Sequence, residues 1–396
     1  MVADSQLRGL LSTADMAAVN RSRLLQSLID DGPASRAEIG RRINVPRASI
    51  GVIVAGLLAD GILEEDQPVT PPDGIGKPAR PLWFTHTALL SGTIALSRGN
   101  AELAVISAGG DVLARTSMSI KTERGPRDLD SKVMTAATEL FGPFSARLCG
   151  IGVSAPALCD SISQEVISCL PAPGLVGTRL PLLLGQAFGV PTVLEQDVRA
   201  IAVGEKWFGM GRGRPNFAAL QFDIGVGGGI VLDGRLWGDQ SRFTMQLGHT
   251  CVDLRGGRCN CGLSGCWETV ASLKWLRRAA TTAGVPGGPS TTPSRLNRRA
   301  EGGDRAAATI LDQYCDHLSV GIANLVQMLA LDLFILHGAV VHAGQSFLSV
   351  LQSKVVARTM PELGHGVRVV YSNLDQHSTL LGAAAVVLTR HLGTAA

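Results

Sequence analysis

The 396-residue chain lacks an unbroken apolar run long enough to cross a bilayer, which takes about 20 residues. Its most apolar stretch, Leu318 to Val341, is interrupted by Asn324, Gln327, Asp332 and His337; that pattern predicts a buried helix and then a buried strand. The N-terminus carries Asp4, Arg8 and Asp15 in place of a signal peptide's apolar segment. A large charge of one sign is missing as well. The net charge is +3 and charged residues make up 17%, so any nucleic-acid face has to be a local patch. Neither a collagen-like period nor a disordered composition is present: 47 Gly and 19 Pro accompany 45% hydrophobic residues, which suits a loop-rich α/β protein. These absences lead us to expect a cytoplasmic protein with no membrane partner and with reduced thiols.

A single core stops growing near roughly 250–300 residues, so two or three domains are expected. Ala17 to Trp83 reads as the first. Leu24, Leu25, Leu28 and Ile29 form one helical stripe over Val19–Asp30. Ser35 with Glu38 is a capping box opening a short helix, and Asn44-Val45-Pro46 is a tight turn with Pro46 suited to the next helix's first position. That helix runs from Arg47 to Asp60 on Ile50, Ile53, Val54, Leu57 and Leu58, and Gly61 ends it. Ile62–Glu65 and Pro81–Phe84 read as paired strands. Three helices and a hairpin make a winged helix-turn-helix.

The remainder alternates strand and helix patterns. Strands are expected at Ala101–Ile106, Leu148–Val153, Val190–Leu194, Ala218–Phe222, Ile230–Leu232 and Leu331–Leu336. Helices are expected at Ser131–Leu140, Val198–Phe208 and Ala306–Ala330. Such alternation predicts an α/β fold. Thr281–Asp304, rich in Gly, Pro, Ser and Thr, reads as an exposed loop.

The strongest chemical signal is His249 with Cys259, Cys261 and Cys266 in a glycine-rich segment. Three thiols and an imidazole form a closed tetrahedral set, the usual arrangement for structural Zn²⁺, with no open position for chemistry. The other cysteines, Cys149, Cys159, Cys169, Cys251 and Cys315, read as small core residues. Asp223–Ile230 is glycine-rich after a strand and fits either a β-turn or a phosphate cradle. Glu195-Gln196-Asp197 ends a strand; Asp197 could act as a base, although its spacing favours a helix N-cap.

The first domain offers a face for double-stranded DNA. Arg36, Arg41, Arg42 and Arg47 are opposed only by Glu38 between Ser35 and Ala59. The recognition helix would present Arg47, Ala48, Ser49, Gly51 and Val52 to a major groove. Arg47 and Ser49 can bond base edges, while Ala48 and Val52 can touch a thymine methyl. Arg36 would contact phosphates, and Lys77 and Arg80 in the wing would reach a minor groove.

Together these residues resemble the ROK family of sugar-responsive repressors and sugar kinases. The most specific likeness is Gly248-His249 followed by Cys259-x-Cys261-Gly262-x-x-Gly265-Cys266-x-Glu268. The regulator branch is marked by a wing that here reads Gly76-Lys77-Pro78-Ala79-Arg80. The resemblance implies a winged helix-turn-helix at 1–86 and, at 87–396, a two-lobed hexokinase/actin-like (ribonuclease H-like) domain. It further implies a homodimer or homotetramer, a DNA operator and a sugar or sugar-derivative effector. In the family's sugar cleft, the corresponding positions are Gln196, Asp197, Gln246, His249 and Glu268. Gln196 replaces the family's Asn, Gln246 replaces its Glu, and Asp197 matches its catalytic base. Ala95 stands where the kinases carry a phosphate-loop Asp, and His337-Gly338 replaces a Gly-Gly adenosine loop that His would crowd. A base without a phosphoryl donor site has nothing to accelerate, so no catalytic residue is expected.

Overall fold

The computed structural model describes residues 13–67, 80–85, 89–121, 124–160, 162–238, 243, 245–374 and 377–394. Three helices come first: α1 (Thr13–Asp31), α2 (Arg36–Ile43) and α3 (Arg47–Ala59). The α1 stripe of Leu24, Leu25, Leu28 and Ile29 is buried. The expected capping box is present, with Glu38 Oε2 accepting from Ser35 N at 2.8 Å while Ser35 Oγ accepts from Glu38 N. Asn44, left-handed at φ 52°, ends α2, and α3 leaves at a bend of 120°, within the helix-turn-helix range. Pro46 is the N-cap of α3 and not its first residue, because its ψ of 142° is still extended. Ile50, Val54 and Leu57 form the buried side of α3; Ile53 and Leu58 are only partly buried. Strand β1 (Leu63–Glu65) pairs antiparallel with β2 (Leu82–Phe84). The wing positions Gly76, Lys77, Pro78 and Ala79 lie outside the described residues.

The first large sheet takes β3 (Leu90–Leu96), β4 (Asn100–Ser107), β5 (Val112–Ser119), β6 (Leu148–Ala155) and, after the small hairpin β7 (Leu158–Asp160) and β8 (Glu165–Ser168), β9 (Thr192–Gln196). Their order is β5-β4-β3-β6-β9. Helices α4 (Pro126–Phe141) and α5 (Leu180–Phe188) share its apolar core. Helix α6 (Asp197–Phe208) leads to the second sheet: β10 (Phe217–Phe222), β11 (Val226–Leu232), β12 (Arg235–Leu236), β13 (Leu333–Gly338) and β14 (Arg368–Tyr371), in the order β12-β11-β10-β13-β14. Its core is shared with α7 (Leu273–Thr282), α8 (Pro293–Glu301), α9 (Arg305–Leu329) and α10 (Gln345–Ala357). The last helix, α11 (Ser378–Leu392), returns to the first sheet. Two sheets with covering helices form the expected α/β architecture.

The segment Thr281–Asp304 is not a loop. It contains a 3-10 turn at Gly288–Ser290 and α8, whose Leu296 is fully buried. Thr292 caps α8 by accepting from Arg295 N, and Pro293 opens it. Cys251 is exposed and not a core residue. Among the described residues no single helix is long and apolar enough to cross a membrane.

Two helices position the chemistry. At Gly204 and Gly382, α6 and α11 cross with their backbones in contact: a Cβ on Gly382 would lie 2.4 Å from Ala200 O. The glycine run after Asp223 serves the other side of α6. Gly227–Gly229 belong to β11, and a Cβ on Gly229 would sit 2.6 Å from the Ala202 Cβ. The run forms a strand-to-strand turn at Asp223–Gly225. The glycines let a helix pack directly on the sheet.

Candidate functional site

The thiol cluster is assembled by the loop that follows β12. A Cβ on Gly265, at φ 73°, would lie 1.9 Å from Asp253 O, so only glycine allows this tight return. The ligand atoms of His249, Cys259, Cys261 and Cys266 all lie within 4.8 Å of one another. Cys261 Sγ is 3.6 Å from Cys266 Sγ, and Cys259 Sγ is 3.6 Å from His249 Nδ1. Around a tetrahedral Zn²⁺, two thiolates at about 2.3 Å are about 3.8 Å apart, and a thiolate and an imidazole nitrogen about 3.6 Å. The donor set and spacing fit that ion. Without a cation, burial and the neighbouring thiols push Cys266 up to about 12.

The cluster is tied to the core by the residue that follows it. Trp267 is buried and donates from Nε1 to His317 O at 2.8 Å. Its ring fills the space a Cβ on Gly321 would need. Glu268 then turns towards β11, where its Oε2 accepts from Val226 N at 3.1 Å. Gly248 meets the same residue: a Cβ there would lie 2.0 Å from Val226 O. Gln246, exposed, precedes this contact. On the other side of β11, Gly227 packs against Val198, the neighbour of Asp197. The start of β11 thus links the loop carrying Gln246, His249 and Glu268 with the strand–helix junction carrying Gln196 and Asp197.

Asp197 is the first residue of α6 and not its N-cap; Gln196 holds the cap position without a side-chain bond. Asp197 Oδ1 still accepts from Val198 N at 2.7 Å. Burial raises its pKa to about 6, against the lowering effect of those backbone N–H groups. Gln196 is buried, and its Oε1 has no hydrogen-bond partner. An orphaned acceptor beside a half-buried carboxyl group is an arrangement that a polyhydroxylated ligand can satisfy.

The Asp197 shift has a stability consequence with a definite sign. The folded state holds the proton more tightly than the unfolded chain, so stability falls as pH rises from 3.8 to about 6 and is flat above. Asp197→Asn is therefore expected to melt higher than the parent above pH 6, with the gap closing towards pH 4. Thermal melts across that range check it. A gap that widens on acidification contradicts the assignment.

Sequence reasoning missed the neighbouring buried pair. Arg199 is 1% exposed; its Nε donates to Glu195 Oε1 at 2.9 Å and its Nη1 to Trp237 O at 2.7 Å. An acid four residues before an arginine was the available signal. A second buried pair is formed by His337 and Glu205. The His337 ring is buried, with Nε2 2.9 Å from Glu205 Oε1 of α6, at an angle that makes no hydrogen bond. Beside β10, the β13 register places position 337 towards α6, where the buried Glu205 carboxylate also accepts from Met210 N and Ser372 Oγ. Ala95 lies on β3 beside Ser154 and packs against the apolar group of Ala104, Ile106, Leu380 and Leu381.

The far end of α6 meets the three-helix head. Trp207 stacks obliquely on Phe84 at 5.6 Å and donates to Thr389 Oγ1 at 2.9 Å. Arg212, just beyond α6, donates from Nε to Ile29 O at 2.7 Å and lies 4.7 Å over the Trp83 ring. It therefore caps the C-terminal carbonyls of α1. On the head's outer face, Arg47, Ala48, Ser49 and Val52 are exposed and Gly51 is half-buried. Arg36 and Arg80 share one acid, lying 2.7 Å and 3.4 Å from the Glu65 carboxylate.

Known proteins match this arrangement. Residues 92–390 match the ROK family model. The glucokinase of Thermotoga maritima is 30% identical over 73% of this chain and 94% of its own. The DNA-binding transcriptional repressor Mlc of Escherichia coli is 26% identical over 91% of this chain and 90% of its own. The crystal structure of a ROK family transcriptional regulator, a homologue of E. coli Mlc, superposes with a TM-score of 0.78 at 25% identity, covering 96% of this chain and 97% of that one.

Proposed function

The chain belongs to the ROK family, and from that premise we propose that it is a DNA-binding transcriptional regulator, a repressor, with a degenerate sugar-kinase-like body. The observation that carries this reading is the outward face of α3, where Arg47, Ala48, Ser49 and Val52 are exposed on a bent helix pair. The head, 1–86, would place α3 in the major groove of a palindromic operator. The body, 87–396, would supply homodimer contacts, so that two-fold symmetry matches paired half-sites. Structural Zn²⁺ on His249, Cys259, Cys261 and Cys266 would hold the loop bearing Gln246 and Glu268. Together with Gln196, Asp197 and His249 these would line a cleft for a sugar or sugar-derivative effector.

Helix α6 supplies the physical link. Its twelve residues span roughly 18 Å, from Asp197 beside the cleft to Trp207 against Phe84 of the head. A ligand that favours one arrangement of the two sheets would tilt α6 and change the spacing of paired heads. Phosphoryl transfer lacks support at Ala95, where an apolar contact replaces a metal-binding carboxylate. The retained Asp197 favours the rival reading, a sugar kinase that carries a DNA-binding head.

Selection of bound duplexes from a random pool tests the proposal, with ATP consumption over a hexose panel run beside it. A palindromic consensus with no turnover is expected. Turnover at ordinary kinase rates, of order 1–100 s⁻¹, or failure to enrich any duplex, overturns it. Glu65→Gln sharpens the test. Releasing Arg36 and Arg80 is expected to strengthen binding to unrelated duplexes and steepen its salt dependence by up to about two phosphate contacts, with stability changed by about 1 kcal/mol or less. Salt titration by fluorescence anisotropy measures both; unchanged slopes would remove these two arginines from the DNA face.

A further inference from the structure

One cysteine of the chain is neither a core residue nor a member of the four-donor set. Cys149, Cys159, Cys169 and Cys315 are buried, whereas Cys251 is exposed and stands outside the group of His249, Cys259, Cys261 and Cys266. An antiparallel bridge sets Cys251 directly opposite Cys266. The backbone hydrogen bonds fix which kind of opposed pair this is. Val252 N donates to Gly265 O at 2.8 Å, and Trp267 N donates to Thr250 O at 2.9 Å. These bonds flank the two cysteines, so Cys251 and Cys266 form a non-hydrogen-bonded pair, the closer of the two antiparallel types.

Cα atoms in such a pair are about 4.5 Å apart, with both side chains on one face. Disulfides span Cα separations of about 4.4–6.8 Å. The ladder therefore places these two cysteines within bonding range without a backbone shift. Gly265 leaves the approach open, since a Cβ there would lie 3.1 Å from Cys251 Sγ. Cys266 Sγ is turned into the donor cluster, 3.6 Å from Cys261 Sγ. One sulfur thus serves two competing bonds.

We propose that Cys251 is an oxidation site: hydrogen peroxide converts it to a sulfenic acid, which Cys266 resolves as a disulfide, with release of the metal. In the first step the Cys251 sulfur attacks one peroxide oxygen; an S–O bond forms, the O–O bond breaks and hydroxide leaves. In the second, the Cys266 thiolate attacks the Cys251 sulfur; an S–S bond forms, the S–O bond breaks and a second hydroxide leaves. The Cys251 thiol proton and one from solvent complete two waters. The two sulfurs together lose two electrons, and the peroxide gains them. The disulfide keeps the ladder closed, while Cys259 and Cys261 lose the anchor that a full set of four donors gives them. The segment between the bridged residues, with exposed Arg255 and Arg258, then opens. This switch goes beyond the regulatory reading and rests only on metal at the four-donor set.

Treating the zinc-loaded full chain with hydrogen peroxide tests it, with released zinc read by a chromogenic chelator and disulfides by peptide mass mapping. One Cys251–Cys266 link is expected for each zinc lost, reversed by dithiothreitol and added zinc. Trypsin is expected to cut after Arg255 or Arg258 at least tenfold faster in the oxidised chain. Cys251→Ser and Cys251→Ala are each expected to hold zinc and melt like the parent before treatment, then to release zinc at least tenfold more slowly. Three results would overturn the proposal: both variants release zinc as fast as the parent; the disulfides formed join only Cys259, Cys261 and Cys266; or Cys251 is oxidised to sulfinic acid with the metal retained. A chain isolated without metal would instead refute the zinc set, and the mapped link would still decide the Cys251–Cys266 pairing.

Discussion

Trp207→Ala is expected to cost about 3–5 kcal/mol, the range for truncating a buried aromatic. The side chain is 3% exposed, stacks on Phe84 and donates to Thr389. Its loss would open a cavity where α1, β2, α6 and α11 share one apolar cluster. The damage should be uneven. Hydrogen exchange is expected to rise first in α1–α3, since the head loses its aromatic anchor and keeps the polar ties of Arg212 to Ile29 and of Ser22 to Gly393, while β6 and β10 keep their protection. Trp207→Phe, which retains a ring, should recover most of the loss. Uniform exchange across the head and both sheets would mean that Trp207 is an ordinary core residue and not the pivot between α6 and the head.

Cys261→Ser carries the other large effect. Two thiolates and one imidazole hold Zn²⁺ far less well than the full set of four, and structural zinc contributes folding energy directly. Bound metal is expected to fall from one ion per chain to under a tenth by elemental analysis, with a clear loss of melting temperature. Chelation of the parent should reproduce the shift. The loss should stay local, because Trp267 anchors the loop's C-terminal side independently, through His317 and Gly321. Gln246 and Glu268 should lose their fixed positions, so any stabilisation by an added sugar should disappear in the variant. A variant that retains full metal would remove Cys261 from the ligand set.

What could be read from the sequence divides by range. The Ser35–Glu38 capping box, the Asn44 turn and the clustered thiols are local, and their geometry follows from spacing alone. The α6–α11 crossing depends on Gly204 and Gly382, which are 178 residues apart, and nothing in either neighbourhood announces the other. The same holds for Phe84 with Trp207 and for Arg212 with the end of α1. Helix α8 was hidden by composition, since its surroundings are rich in Gly, Pro and Thr. Thr292-Pro293, a cap followed by a proline at the first helical position, was the overlooked signal. His337 belongs with the distant pairs: strand register turns it towards Glu205, 132 residues earlier, and its own surroundings do not announce that partner.

The account rests on α3 reading a duplex, and the affinity for a selected palindrome against that for a scrambled duplex at one salt concentration measures that most directly. The full chain is expected to bind its selected site at least 10³-fold more tightly than a scrambled duplex at physiological salt. Arg47→Ala should lose about 1–3 kcal/mol of that preference if the side chain reads a base, with its melting temperature unchanged. Equal affinity for selected and scrambled duplexes, or an Arg47→Ala protein that binds like the parent, would contradict the account.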